Sequence, residues 1–141
     1  MKRKLYVMDG VDLSDDQIRL VAEFCNFCAD QLPIDGPFEV SVVGNRERHG
    51  IGTTAAYHVG NNCIKVYGKR RALVDILRSI AHEMTHMMQD ETGLITGPVQ
   101  DVGGFHEDQA NAKAGELIKR FAQSDKNKKR IYERLMRGKV I

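Results

Sequence analysis

From Arg70 to about Glu91, apolar side chains return every three or four positions at Leu73, Leu77, Ile80, Met84, Met87 and Met88, and Gly93 follows. That period predicts a helix with a glycine stop. On a wheel of about 100° per residue centred on His82, those side chains fall on the far side, while Asp75, Ser79, His86 and Gln89 gather near His82. A second helical stretch opens at Ser14-Asp15-Asp16-Gln17, a capping-box pattern, and carries Ile18, Val21, Cys25, Cys28 and Leu32 before Pro33. Residues 15–32 are therefore predicted helical. A third stripe, Ala110, Ala114, Leu117 and Phe121, predicts a helix from about Phe105 to Ala122, and a short basic helix is expected over Lys126–Arg137. Alternation marks strands at Phe38–Val43, Thr53–Val59 and Cys63–Tyr67, the last two joined by a Gly60-Asn61-Asn62 turn. Leu5–Met8 is a candidate fourth strand. Arg46–Gly52 and Leu94–Gly104 read as loops. The expected fold class is α+β, a small mixed sheet packed on helices, in a single domain spanning 1–141.

Composition narrows the function classes. The chain has 141 residues, 42% of them hydrophobic, enough for one core. A net charge of +2 demands neither nucleic acid nor a membrane. Charge is nevertheless uneven: Asp9, Asp12, Asp15 and Asp16 cluster early, and Lys126, Lys128, Lys129, Arg130, Arg134, Arg137 and Lys139 cluster late. Nucleic acid contact through that basic 126–139 segment is the lesser reading, since a run of exposed cations is usually a solvated face. The apolar run Leu5–Met8 is too short for a signal peptide, no stretch has the length of a membrane span, and three cysteines make no disulfide framework. The expected location is cytoplasmic. Cys25 and Cys28 form a CxxC, but both lie on a helix's core stripe, which favours packing over redox chemistry. Cys63 and His58 lack further ligands for a second metal site.

The chemistry-bearing motif is His82-Glu83-Met84-Thr85-His86. Two histidines four apart on a helix project from one face one turn apart, as a tetrahedral zinc ion requires. Glu83 is rotated by about 100° from His82, in the position of a general base for a metal-bound water. An ordinary amphipathic helix bearing these residues on its solvent face is the competing reading. A defined site needs a third ligand, with Glu91, Asp101, His106, Glu107, Asp108 and Glu116 downstream. Glu107 is best placed, because it extends the Ala110–Ala114 stripe from the first turn of its helix; a first-turn acid favoured by the helix dipole is the alternative. Asn111, one turn on, is a candidate support for the Glu107 carboxylate. Tyr57, His58 and His106 are candidates for oxyanion stabilisation, each with a plain structural alternative.

The pattern Glu107-x-x-Ala110-Asn111-x-x-Ala114-x-x-Leu117-Ile118 after HExxH resembles the second motif of ImmA/IrrE-type metallopeptidases, and more broadly of minimal gluzincin domains common in phage and mobile-element proteins. The resemblance spans roughly 53–122, with Lys113 in place of the usual aromatic and Lys119-Arg120 in place of Met-Pro. It implies a zincin-like fold, Zn2+ as cofactor, Glu107 as third zinc ligand, and a protein or peptide substrate lying along a strand edge within Thr53–Tyr67. The expected function is a zinc-dependent peptidase. The alternative is a catalytically silent zinc-binding protein of phage type acting as a binding or adaptor module.

Overall fold

The structure, a computed structural model, describes residues 3–58, 62–93 and 105–124. Four strands, β1 (Arg3–Met8), β2 (Phe38–Val43), β3 (Ala55–His58) and β4 (Cys63–Tyr67), form one mixed sheet in the order β1-β2-β4-β3. β1, β2 and β4 run parallel, and β3 lies antiparallel on β4 at one edge. Register follows from the two-residue side-chain period. Leu5, Val40, Ile64 and Tyr57 share one row across the sheet, and Val7, Val42, Val66 and Ala55 share the next. Within these rows Val40, Val42, Ile64 and Val66 are fully buried.

Helices α1 (Asp15–Gln31), α2 (Arg46–His49), α3 (Leu73–Glu91) and α4 (Phe105–Gln123) complete the described elements. The fold is thus mixed α+β. α3 is the central helix, packed against β3, β4, α1 and α4. Its apolar side meets the core through Leu77, Ile80, Met84 and Met87. α1 and α4 close the layer around an aromatic cluster in which Phe121 meets Phe24 at 5.1 Å and Phe27 at 5.5 Å between ring centroids.

The capping box forms as expected: Gln17 N–H donates to Ser14 Oγ at 3.2 Å, and Ser14 N–H donates to Gln17 Oε1 at 2.9 Å. Cys25 and Cys28 are buried free thiols within the core, and burial pushes Cys25 up to about 12 and Cys28 well above the ordinary thiol range. They are packing residues.

Four boundaries differ from expectation. β1 is a full strand beginning at Arg3. The expected loop at 46–52 contains a single helical turn, α2, capped by Asn45 Oδ1 accepting from Arg48 N–H at 3.0 Å and ended by Gly50 at φ 68. Such a turn leaves no apolar period to detect. α3 begins at Leu73, because Arg70 sits at φ 58 and cannot belong to a right-handed helix. β3 begins at Ala55, two residues after the expected start at Thr53. The expected loop 94–104 and basic segment 126–139 lie outside the described residues. Among the described residues, no helix is long and apolar enough to cross a membrane.

The helical wheel separates α3 into an apolar face and a polar face, and the structure buries the apolar face together with the His86–Gln89 end of the polar one. α4 lies across the polar face, so His86 and Gln89 are as deeply buried as the methionines opposite. The histidines do not decorate a solvent face.

Candidate metal centre

α3 places His82 and His86 one turn apart, with their rings nearly perpendicular at 83° and centroids 4.8 Å apart. The first turn of α4 brings Glu107 over them. His82 Nε2 stands 2.7 Å from Glu107 Oε1, His86 Nε2 stands 3.3 Å from Glu107 Oε2, and the two Nε2 atoms are 3.2 Å apart. Ligands about 2.0–2.1 Å from a tetrahedral metal stand roughly 3.3 Å from each other. Two of the observed separations lie close to that value and the His82–Glu107 one falls short of it, and the three residues form a group able to hold a metal ion.

Electrostatics points the same way. Glu107 Oε2 is buried without a hydrogen bond. Two imidazole nitrogens and a carboxylate converging on one point repel one another unless a proton or a metal ion lies between them. The donor set, two nitrogens and one carboxylate oxygen, suits a divalent transition metal rather than calcium or magnesium. The residues therefore fit a metal ion.

His86 is oriented by Gln89. The Gln89 amide nitrogen donates to the backbone carbonyl of His106 at 3.1 Å and to Gln109 Oε1 at 2.7 Å. Those bonds commit its oxygen to His86, where Nδ1–H donates at 2.9 Å. Nδ1 thus carries the proton, and Nε2 presents a lone pair to the centre. Gln89 is fully buried. Asn111, the expected supporting residue, is exposed and borders the cleft without a side-chain hydrogen bond to Glu107. Sequence reading placed Gln89 near the histidines but assigned it no role. Its spacing of three after His86 was the available signal.

A cleft of about 400 Å³ opens beside the centre, with His82, Glu83, Glu107 and Asn111 on one side and Thr53 to Ala55 on the other. An adjoining space of about 240 Å³ continues along Ala56 and Tyr57 and again touches Glu83. Glu83 is 7% exposed, and it borders both spaces. β3, the edge strand, runs beside them.

The remaining sequence candidates stand outside the metal-binding group, although Tyr57 borders the second space. Tyr57 donates its hydroxyl proton to Asp90 Oδ2 at 2.6 Å, tethering β3 to α3. His58 Nε2 and His106 Nδ1 are buried without hydrogen-bond partners, and neither side chain lines the two spaces. His82, Glu83, His86 and Glu107 are the candidates that come together.

At the far end of the cleft stand Arg71, Asp75, Arg78 and Ser79. Arg71 is half-buried and donates to the backbone carbonyls of Tyr67 at 2.6 Å and Asp75 at 3.0 Å, and to Ser79 Oγ at 2.8 Å. Burial draws it below the ordinary guanidinium range, opposed by the Asp75 charge. Arg78 is exposed and pairs with Asp75 at 3.1 Å.

Comparison with protein-family models, curated proteins and solved structures finds no match.

Proposed function

We propose that this protein is a zinc-dependent peptidase of the minimal gluzincin type, with a zincin-like arrangement of its sheet and active-site helix. The observation that carries the reading is the convergence of His82, His86 and Glu107 from two helices beside a cleft that Glu83 also lines. His82, His86 and Glu107 would hold the ion. Bound there, zinc supplies a Lewis acid and a water acidic enough to lose a proton near neutral pH.

The protein's own groups supply the rest. Glu83 faces the cleft from the same helix as the histidines, buried from bulk water, and acts as the base that accepts the proton of the attacking water. The same carboxyl then gives that proton to the departing amine, so one residue serves both halves of peptide hydrolysis. Gln89 keeps the His86 lone pair aimed at the centre throughout. Among the described residues β3 is an edge strand beside the cleft, suited to an extended peptide adding as a further strand. A peptide laid along β3 would bring its scissile carbonyl near Glu83.

The test compares the wild type with Glu83→Gln and Glu107→Ala, measuring zinc per chain and hydrolysis of a quenched-fluorescence peptide library. Glu83→Gln is expected to keep its zinc and lose about 10²- to 10⁴-fold in rate, the usual contribution of a general acid–base group. Glu107→Ala is expected to lose the metal as well. Unchanged zinc in Glu107→Ala removes that residue from the centre. Full biological effect in Glu83→Gln transfers the reading to a silent zinc-binding module.

A further inference from the structure

The cleft is chemically lopsided. One end holds the metal-binding group and Glu83; the other holds two guanidinium groups and one carboxylate, so its formal charge is +1. Arg71 is the unusual member. A half-buried guanidinium normally sits against a carboxylate, because uncompensated charge is costly away from water. Here three of its five N–H donors are spent on neutral oxygens, two carbonyls and the Ser79 hydroxyl. These bonds fix the group rigidly without a direct ion pair, and the Asp75 charge, acting on it from a distance, does not outweigh its burial. The nearest acid on this wall, Asp75, directs its carboxylate to Arg78 instead.

Position gives that charge a use. Ser79, the anchor of Arg71, lies three residues before His82 on α3, about 4.5 Å along the axis at 1.5 Å per residue. Arg78 adds a second, exposed guanidinium on the same wall. We infer that Arg71 and Arg78 form a subsite for a substrate carboxylate, one helical turn from the metal ligands. The inference rests on the peptidase reading for the identity of the substrate as a peptide. The carboxylate is either an acidic side chain or the free C-terminus of the chain being cut. Arg71, held in place, supplies direction; Arg78, exposed at the surface, supplies a second charge-assisted bond. A lysine or arginine at the same position of the peptide is repelled.

The test uses ¹⁵N-labelled, zinc-loaded Glu83→Gln protein and three alanine-rich heptapeptides. The first is blocked at both ends with a central Glu; the second is the same with Gln; the third has the central Gln and a free C-terminal carboxylate. The blocked Glu peptide or the free-carboxylate peptide is expected to bind at least tenfold more tightly than the blocked Gln peptide, with amide shifts centred on residues 71–79. Which of the two prevails identifies the source of the carboxylate. Arg78→Gln is expected to cut the preference to about threefold, and Arg71→Gln to abolish it. Because Arg71 also ties β4 to α3, the exposed Arg78 variant keeps the test decisive if Arg71→Gln fails to fold. Equal binding of all three peptides, or no shift in residues 71–79, overturns the inference. So does a carboxylate preference that survives Arg78→Gln undiminished, which would place the acid on the metal. Wild-type cleavage of the peptides is scored separately. Acid preference without cleavage leaves the subsite standing and removes the peptidase reading; cleavage without acid preference does the reverse.

Discussion

The side chain that does most to orient His86 is not in the motif. Gln89 spends both amide hydrogens on the first part of α4, at the His106 carbonyl and Gln109, and only then turns its oxygen to His86. It therefore sets a tautomer and an interhelical distance together. Gln89→Ala is expected to weaken zinc binding about 10- to 100-fold, the usual effect of removing an outer hydrogen bond from a ligating histidine, measured by competition with a chromophoric chelator. An unchanged affinity would mean that packing alone orients the ring. At this scale the sequence was informative where chemistry is local. His82, Glu83 and His86 declare themselves by helical spacing, and Glu107 by its place on an apolar stripe. Gln89 was opaque because its function depends on a backbone carbonyl seventeen residues away in the chain. Asn111 was misjudged for the same reason: one turn from Glu107 in sequence, it points to the cleft rather than the ligand.

Among elements, the long helices were legible because each repeats its apolar residues over several turns, and the β3–β4 pairing because strands so close in the chain have few other partners. Strand order was not. Alternation marks Phe38–Val43 as a strand but carries no information that β2 would lie between β1 and β4. The close fit of those central strands is visible at Gly68, where an added methyl would stand 2.4 Å from Val42 Cγ1. Gly68→Ala is expected to lower unfolding free energy by about 1–3 kcal/mol, the range for overpacking, read from urea titration. The small element α2 is held differently, through Asp9, whose carboxylate meets the His49 ring and stands 3.0 Å from Arg48. The His49 hydrogen bond, helped by Arg48, holds the Asp9 carboxyl below its ordinary range. A depressed folded-state value means that the contribution is complete above the unfolded carboxyl range and is lost as pH falls through the folded one. The stability difference between wild type and Asp9→Asn should therefore be constant near pH 5 and shrink below about pH 4. A difference that grows on acidification would contradict the clip.

For the whole molecule, a metal held at this centre would also be a cross-link. His82 and His86 belong to the helix at the centre of the core, and Glu107 to the helix that covers its polar face. A divalent ion bound by all three ties α3 to α4 at the point where carboxylate and imidazoles otherwise crowd one another. Ligand that binds only the folded state raises stability by RT ln(1 + [L]/Kd), about 2.7 kcal/mol at a hundredfold excess over Kd. At about 2–4 °C per kcal/mol for domains somewhat larger than this one, zinc is expected to raise Tm by roughly 5–10 °C over chelated protein. Glu83→Gln should retain that increment, since the role proposed for Glu83 is on the water and not on the ion. His82→Ala, His86→Ala and Glu107→Ala should each lose most of it, and their melting curves with and without zinc should nearly coincide. An increment that survives Glu107→Ala but vanishes in the histidine variants would place the metal on α3 alone, and α4 would then be held by packing and by Gln89. An increment that also needs Glu83 would make that carboxylate a ligand and leave the centre without its base.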